Sequence, residues 1–315
     1  MTARKPIPHP INTRPFSVEE ARAAGVSPSR VRSRDLSAPF PGVRVAKPDV
    51  SAADSETDFA WATRRMVRLA QEYAPRLKPG QYFCEMTAIA LHGLPIPLSR
   101  LRDEKVHVAV PFPRSAPRAR GMIGHQFSVD RVVRTDGLPV AAPVDAWIDC
   151  AGRCSVEELV IIGDGLLRRQ DPFATGEDLA AAVRAHENRP GIRKLRQALA
   201  RIRGGTDSAM ETVIRLLIVD NGLPEPFVNP VIFDQSGLQL AIADLGYLQW
   251  KVLIEYQGDY HFRTPDQRRK DVDRIAALVR ARWHVIEVHK DHIFRNPNHI
   301  IALIRDALLD AGWRP

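Results

Sequence analysis

Cysteine is scarce in this sequence, three in 315 residues. An odd count this small builds no disulfide framework and leaves at least one thiol free. Cys150 and Cys154 stand four apart and can share a helix face, but no second Cys or His pair follows at zinc-finger spacing, so the cysteines read as small buried apolar residues. Long apolar runs are missing too. None approaches the roughly 20 residues that span a bilayer, so no membrane partner is expected. The proline-rich, basic start, residues 1–15, has no apolar run behind it and does not read as a secretory signal, which makes a cytoplasmic location the expectation. What is present is a globular composition, with 44% apolar and 26% charged residues. The excess of base is large, +8 at neutral pH with a pI near 9.7, and comes mostly from arginine. Its planar, permanently charged fork suits phosphate, so nucleic acid is a reasonable partner, although a solvated basic face has the same composition.

The length suits two domains with room for a third small module. Phe16-Ser17-Val18-Glu19-Glu20-Ala21 predicts a capped helix, with Ser17 as N-cap and Glu20 three residues on, and Gly25 ends it. Ser27-Pro28 opens a second helix expected to reach Leu36, and Phe40 to Val45 reads as a turn and short strand. That order fits a winged helix-turn-helix over residues 1–50, in which Arg30, Arg32 and Arg34 face DNA. It equally fits a helical hairpin whose exposed arginines touch no DNA.

Residues 51–204 read as an α+β middle domain. Helices are expected at Asp58 to Tyr73, Glu85 to His92, Pro143 to Arg169 and Leu179 to Arg203, with strands at Lys105 to Pro111 and within Gly124 to Val133. Trp147, Leu159, Ile162 and Leu166 form an apolar stripe. His92, His107 and His125 are scattered, and no chemistry is assigned to them. Gly204-Gly205 breaks the last helix before a new cap at Thr206 to Ser208, the best candidate for a domain boundary.

From there the order of elements is α-β-β-β-α-β-α: a helix at Met210 to Asp220, strands at Phe227 to Phe233, Gln239 to Leu245 and Lys251 to Tyr256, a basic helix at Pro265 to Arg282, a strand at His284 to His289 and a last helix at Asn298 to Ala311. Asp244 and Glu255 lie on neighbouring strands, where a hairpin can bring both to one divalent cation, and the strand period puts Gln257 on the face of Glu255. Phosphodiester cleavage uses such a cluster, because a metal activates water, polarises the phosphoryl oxygen and stabilises the leaving oxyanion. The same carboxylates also suit a structural role, as ion-pair partners for Arg215 or Arg269, with Glu211 as a capping charge on its helix.

Ser208-Ala209-Met210-Glu211, Ile242-Ala243-Asp244-Leu245, Glu255-Tyr256-Gln257-Gly258, His261 and the passage from Arg274 to Trp283-His284-Val285 together resemble the PD-(D/E)XK nuclease superfamily, in particular the DUF559 domains related to very-short-patch-repair endonucleases. The resemblance covers residues 205–315. It implies a restriction-endonuclease-like fold, a DNA substrate and Mg²⁺ (or Mn²⁺) held by Asp244 and Glu255, with Glu211 reaching in from the first helix. Gln257 stands where the superfamily usually has Lys; its amide can still hold a water but supplies no positive charge. His261 would serve as base or phosphate ligand, and Arg263, Arg268, Arg269 and Lys270 would line a phosphate path or form a solvated helix face.

Further upstream, Phe16-Ser17 through Gly42-Val43, Thr87 to Leu94 and Val144 to Asp149 look like the antitoxin-type regulators of the AbiEi family. That likeness implies DNA binding by the first module and a protein partner from a toxin-antitoxin or defence system, and carries over no catalytic residue. Two functions are therefore open, a Mg²⁺-dependent DNA endonuclease and a non-catalytic DNA-binding regulator that keeps a nuclease fold. An arginine filling the space between Asp244 and Glu255 would favour the second.

Overall fold

The computed structural model describes residues 6–47, 59–100, 103–127, 131–234, 236–257 and 265–315, with side chains over 265–273 described at Arg269 alone. They form a mixed α/β protein with several sheets and twelve α-helices among the described residues. The chain divides into two compact units, Met1–Ile162 with Asp178–Arg196, and Gly163–Glu177 with Gln197–Pro315. Gly204-Gly205 thus falls inside the second unit, and the first fifty residues share a unit with those that follow. None of the described helices is long and apolar enough to cross a membrane.

The first unit begins with β1 (Phe16–Ser17), α1 (Val18–Ala23), α2 (Pro28–Val31), β2 (Leu36–Ser37) and β3 (Val43–Ala46), the strands forming an antiparallel sheet in the order β1-β3-β2. Ser17 and Ser27 cap the two helices through their hydroxyls, as the sequence predicts. Phe16, Ala21, Val26, Val31 and Leu36 close a small core of their own. The second helix, expected to run to Leu36, stops at Val31. There Ser33 donates its hydroxyl to the Arg30 carbonyl, 2.6 Å, and the Arg30 guanidinium turns back onto Ser33 and Asp35, so side chains satisfy the turn that a further helical turn would have used.

Next come α3 (Phe59–Tyr73), β4 (Tyr82–Phe83), α4 (Glu85–Leu91), β5 (Val106–Pro111), β6 (Met122–Phe127), β7 (Val132–Thr135), β8 (Leu138–Ala141) and α5 (Pro143–Asp149). Their strands make one mixed sheet in the order β6-β5-β4-β8-β7, with β5 and β6 parallel. Helices α6 (Val156–Leu166), α7 (Gly176–Ala185) and α8 (Ile192–Arg201) follow. The single helix expected from Leu179 to Arg203 is thereby split, because Asn188 and Gly191 take positive φ on either side of Pro190, whose ring removes a backbone donor. A Cβ at Gly191 would lie 2.6 Å from that of Ala151, so the turn is pressed against its neighbour. Trp147, Leu159, Ile162 and Leu166 are all fully buried.

The second unit carries α9 (Ala209–Asp220), β9 (Phe227–Val228), β10 (Val231–Phe233), β11 (Gln239–Ile242), β12 (Leu245–Tyr247), β13 (Val252–Gln257), α10 (Pro265–Arg280), β14 (His284–His289), α11 (Lys290–Phe294) and α12 (Pro297–Asp310). The strands expected at Phe227 to Phe233 and Gln239 to Leu245 are each broken in two. Asn229 has φ 46° and Pro230 offers no N–H, so the first strand kinks there; the second breaks alongside at Ala243-Asp244, bridged by Asn229 N–H to Asp244 O, 3.0 Å, and Ala243 N–H to Pro230 O, 3.2 Å. The outer halves pair as β10-β11, while the inner halves join a four-stranded sheet in the order β14-β13-β12-β9. Within it β12 and β13 run antiparallel and β13 and β14 parallel, with apolar Val252, Leu253 and Ile254 buried in the middle.

Buried ionic packing anchors this unit. Arg215, one turn along α9 from Glu211, does not pair with it: its guanidinium reaches Asp164 at 2.7 Å and Glu225 at 2.8 Å with 1% of the side chain exposed. Asp164 also accepts from the Thr212 hydroxyl and the Arg203 N–H, each 2.8 Å, so both carboxylate oxygens are satisfied.

Candidate functional site

Antiparallel pairing of β12 and β13 sets Leu245 opposite Ile254. One step further along the register, Asp244 therefore stands beside Glu255. Asp244 Oδ2 accepts the Tyr256 N–H at 2.7 Å, which ties the side chain to the strand that carries Glu255. Glu211 comes from the start of α9, where Ser208 caps the helix and receives the Glu211 N–H at 3.3 Å. Its carboxylate accepts from Asp207 N, 2.9 Å, and Asn229 Nδ2, 2.7 Å, so it closes the helix start and holds the Asn229 kink at once. Burial, then the charges of Glu255 and Glu211, push the Asp244 carboxyl up to about 7. Burial likewise raises Glu211. Asp244 thus lies beside Glu255 and feels the charges of both Glu255 and Glu211.

The cation facing them is Arg274, on α10. Its two terminal nitrogens hold the two oxygens of Glu255 at 3.0 and 3.2 Å. Neither Arg215 nor Arg269 serves this carboxylate, the partners that the sequence suggested. Gln257, two residues along β13 and 6% exposed, donates Nε2 to Glu287 Oε1 at 3.3 Å. An ionised Glu287 only accepts, so the amide must present its nitrogen there. Gln257 Oε1 is buried and takes no hydrogen bond among the described residues.

Carboxylate oxygens are the donors that a hard divalent cation takes. Among the described residues Arg274 holds Glu255 and lowers Asp244, and the Gln257 amide oxygen lies on the face of Glu255 without a hydrogen bond. Arg274 competes with such an ion for Glu255.

His261 and Arg263 lie outside the described residues, as do the side chains of Arg268 and Lys270; Arg269 is exposed on α10. In the N-terminal module Arg32 and Arg34 are exposed, and Arg30 is held by Asp35 at 2.9 and 3.1 Å with 13% of its side chain exposed.

A second cluster, in the first unit, escaped the sequence reading. Glu85 opens α4, and His107 and His125 come from the parallel strands β5 and β6. Glu85 Oε2 is 2.9 Å from His107 Nδ1, Glu85 Oε1 is 3.1 Å from His125 Nδ1, and His107 Nδ1 is 3.0 Å from His125 Nε2. All three are buried, and this is the group among the described residues whose ligand atoms all lie within 4.8 Å of one another, so it could hold a metal ion. Burial lowers His125 to about 4, which keeps its ring neutral. Alternation along residues 105–111 puts His107 on the face opposite Val106 and Val108, and both faces of that strand prove buried. Cys84, Cys150 and Cys154 are buried and form no disulfide, as expected.

Compared with known proteins, the chain is 26% identical over 221 residues to two uncharacterized proteins of Mycobacterium tuberculosis, MT2308 of strain CDC 1551 / Oshkosh and Rv2248 of strain ATCC 25618 / H37Rv. The match covers 70% of this chain and 79% of each relative. No family model matches the chain, and no solved structure does.

Proposed function

We propose that the second unit is a metal-dependent DNA endonuclease domain with the restriction-endonuclease-like layout of the PD-(D/E)XK superfamily. The observation that supports it best is Asp244 standing beside Glu255 and under the charge of Glu211, with Arg274 holding Glu255. Asp244 and Glu255 would hold Mg²⁺ or Mn²⁺, with Glu211 beside them. Bound there, the ion lowers the pKa of water and neutralises charge on the phosphoryl oxygens. Gln257 Oε1 orients water by accepting its hydrogen, and His261 is assigned the role of base or phosphate ligand. The N-terminal module, read as a winged helix, supplies DNA affinity through Arg32 and Arg34, and the basic start of α10 tracks the backbone with Arg269. DNA in the cytoplasm, with no membrane association, is the proposed setting.

One observation favours a second reading, a non-catalytic DNA-binding regulator of the AbiEi antitoxin type with a protein partner from a toxin-antitoxin or defence system. Arg274 already grips both oxygens of Glu255, and Gln257 offers no positive charge. A plasmid-nicking assay with Mg²⁺ or Mn²⁺, with and without EDTA, decides between them. Metal-dependent nicking that Asp244→Asn and Glu255→Gln abolish supports the nuclease. Intact plasmid under every metal, with retardation of DNA preserved, overturns it and leaves the regulator.

A further inference from the structure

We propose that Glu85, His107 and His125 form a binding site for a first-row divalent transition metal, zinc being the leading candidate, which clips the start of α4 to strands β5 and β6. Two imidazoles and one carboxylate are borderline donors, suited to Zn²⁺, Co²⁺ or Fe²⁺ and poorly suited to Mg²⁺. The site is therefore chemically distinct from the all-oxygen set of the second unit.

The donor atoms of the three side chains converge inside the fold, within 4.8 Å of one another. His107 Nδ1 faces both Glu85 Oε2 at 2.9 Å and His125 Nε2 at 3.0 Å, yet one ring nitrogen carries either one hydrogen or one lone pair. If it donates to the carboxylate, His125 Nε2 keeps its lone pair; if it donates to His125, the carboxylate is left to His125 Nδ1 and Arg153 Nε. A cation among the three meets all of them at once. Ligands about 2.0–2.1 Å from one ion lie up to about 4 Å apart; with one donor atom from each residue the three lie within 4.8 Å, so binding draws them inward.

The surroundings act as a supporting shell. Thr87 Oγ1 accepts the His107 backbone N–H at 2.8 Å and so fixes that strand position. The His125 ring is stacked between His107 and Phe127, with centroids 5.2 and 5.6 Å away. Arg153 Nε stands 3.3 Å from Glu85 Oε2, a charge-assisted contact that positions the carboxylate. Glu85 itself takes φ 44°, a left-handed conformation that a non-glycine residue adopts at a cost and that here aims its carboxylate inward. All three ligands are less than 10% exposed, which suits a structural ion rather than one that receives a substrate.

The test uses the full chain, purified without an affinity tag that binds metal, in a background carrying Asp244→Asn and Glu255→Gln so that the acidic cluster does not contribute. Dialysis against Zn²⁺ followed by elemental analysis is expected to give one ion per chain, and Co²⁺ to give visible absorption of nitrogen-oxygen ligation. His107→Gln and His125→Gln should each lower Zn²⁺ affinity at least tenfold in competition with a chromophoric chelator. Should the variants fail to fold, the Co²⁺ spectrum of the background protein still decides. Less than a tenth of an ion per chain, or an unchanged affinity in the folded variants, overturns the proposal.

Discussion

The two polar clusters differ in how their charge is balanced. Around Asp244, among the described residues, Arg274 holds Glu255 and lowers Asp244, and the Gln257 amide oxygen takes no hydrogen bond. Around Glu85 a single carboxylate faces two imidazoles and Arg153. The first arrangement offers oxygen donors alone, the second imidazole nitrogen beside oxygen. Each unit thus presents a different donor set from side chains that look equally polar in the sequence.

The sharpest way to break this contrast is to exchange the lesions. Asp244→Asn with Glu255→Gln should cut Mg²⁺-dependent nicking by about 100-fold or more, since metal catalysis supplies several kcal/mol. His107→Gln with His125→Gln should leave that rate within about two-fold in the folded protein. Equal losses from both pairs would show that the clusters are not separate in function. A smaller effect is expected at Arg274. Arg274→Gln leaves the buried Glu255 without its guanidinium, which should destabilise the second unit by about 1–3 kcal/mol in EDTA. Mg²⁺ should restore more stability to this variant than to the parent, measured by thermal unfolding. An equal response in both would mean that Arg274 and the ion do not compete.

The mildest effects concern pH, and they carry opposite signs in the two units. His92 is lowered from 6.5 by burial, so the folded first unit keeps a neutral ring; its contribution is full above 6.5 and is lost as pH falls below that value. Asp244 is raised from 3.8 to about 7, so in EDTA the folded second unit holds a proton that the unfolded chain has released. Its contribution is present below 3.8 and is lost as pH rises toward about 7. Hydrogen exchange at pH 5 and pH 8 should show protection rising with pH around His92 and falling with pH around Asp244. Slopes of the same sign would remove this part of the contrast.

Local signals in the chain carried well into the structure. Ser17, Ser27 and Ser208 cap helices because a hydroxyl accepts the N–H three residues on, a bond that needs nothing beyond neighbouring residues. β14 runs over His284–His289 as its alternation predicts, and the spacing of Asp244 and Glu255 suffices to set them side by side across a hairpin. The breaks at Asn229 and near Pro190 were harder to place, since a strand or helix pattern continues on both sides of each. Long-range partners were not legible at all. Arg274, rather than Arg215 or Arg269, reaches Glu255 because α10 packs that residue over the sheet, and Arg215 goes to Asp164, far away in the chain.

By itself, then, the sequence determined the helix starts, the strand periods and the acidic pair, all of which depend on groups a few residues apart or joined by one turn. The meeting of Glu85 with His107 and His125, and the gripping of Glu255 by Arg274, were decided by tertiary structure. Strand order and helix docking bring those groups within hydrogen-bonding distance, and neither depends on the residue types that then react to one another.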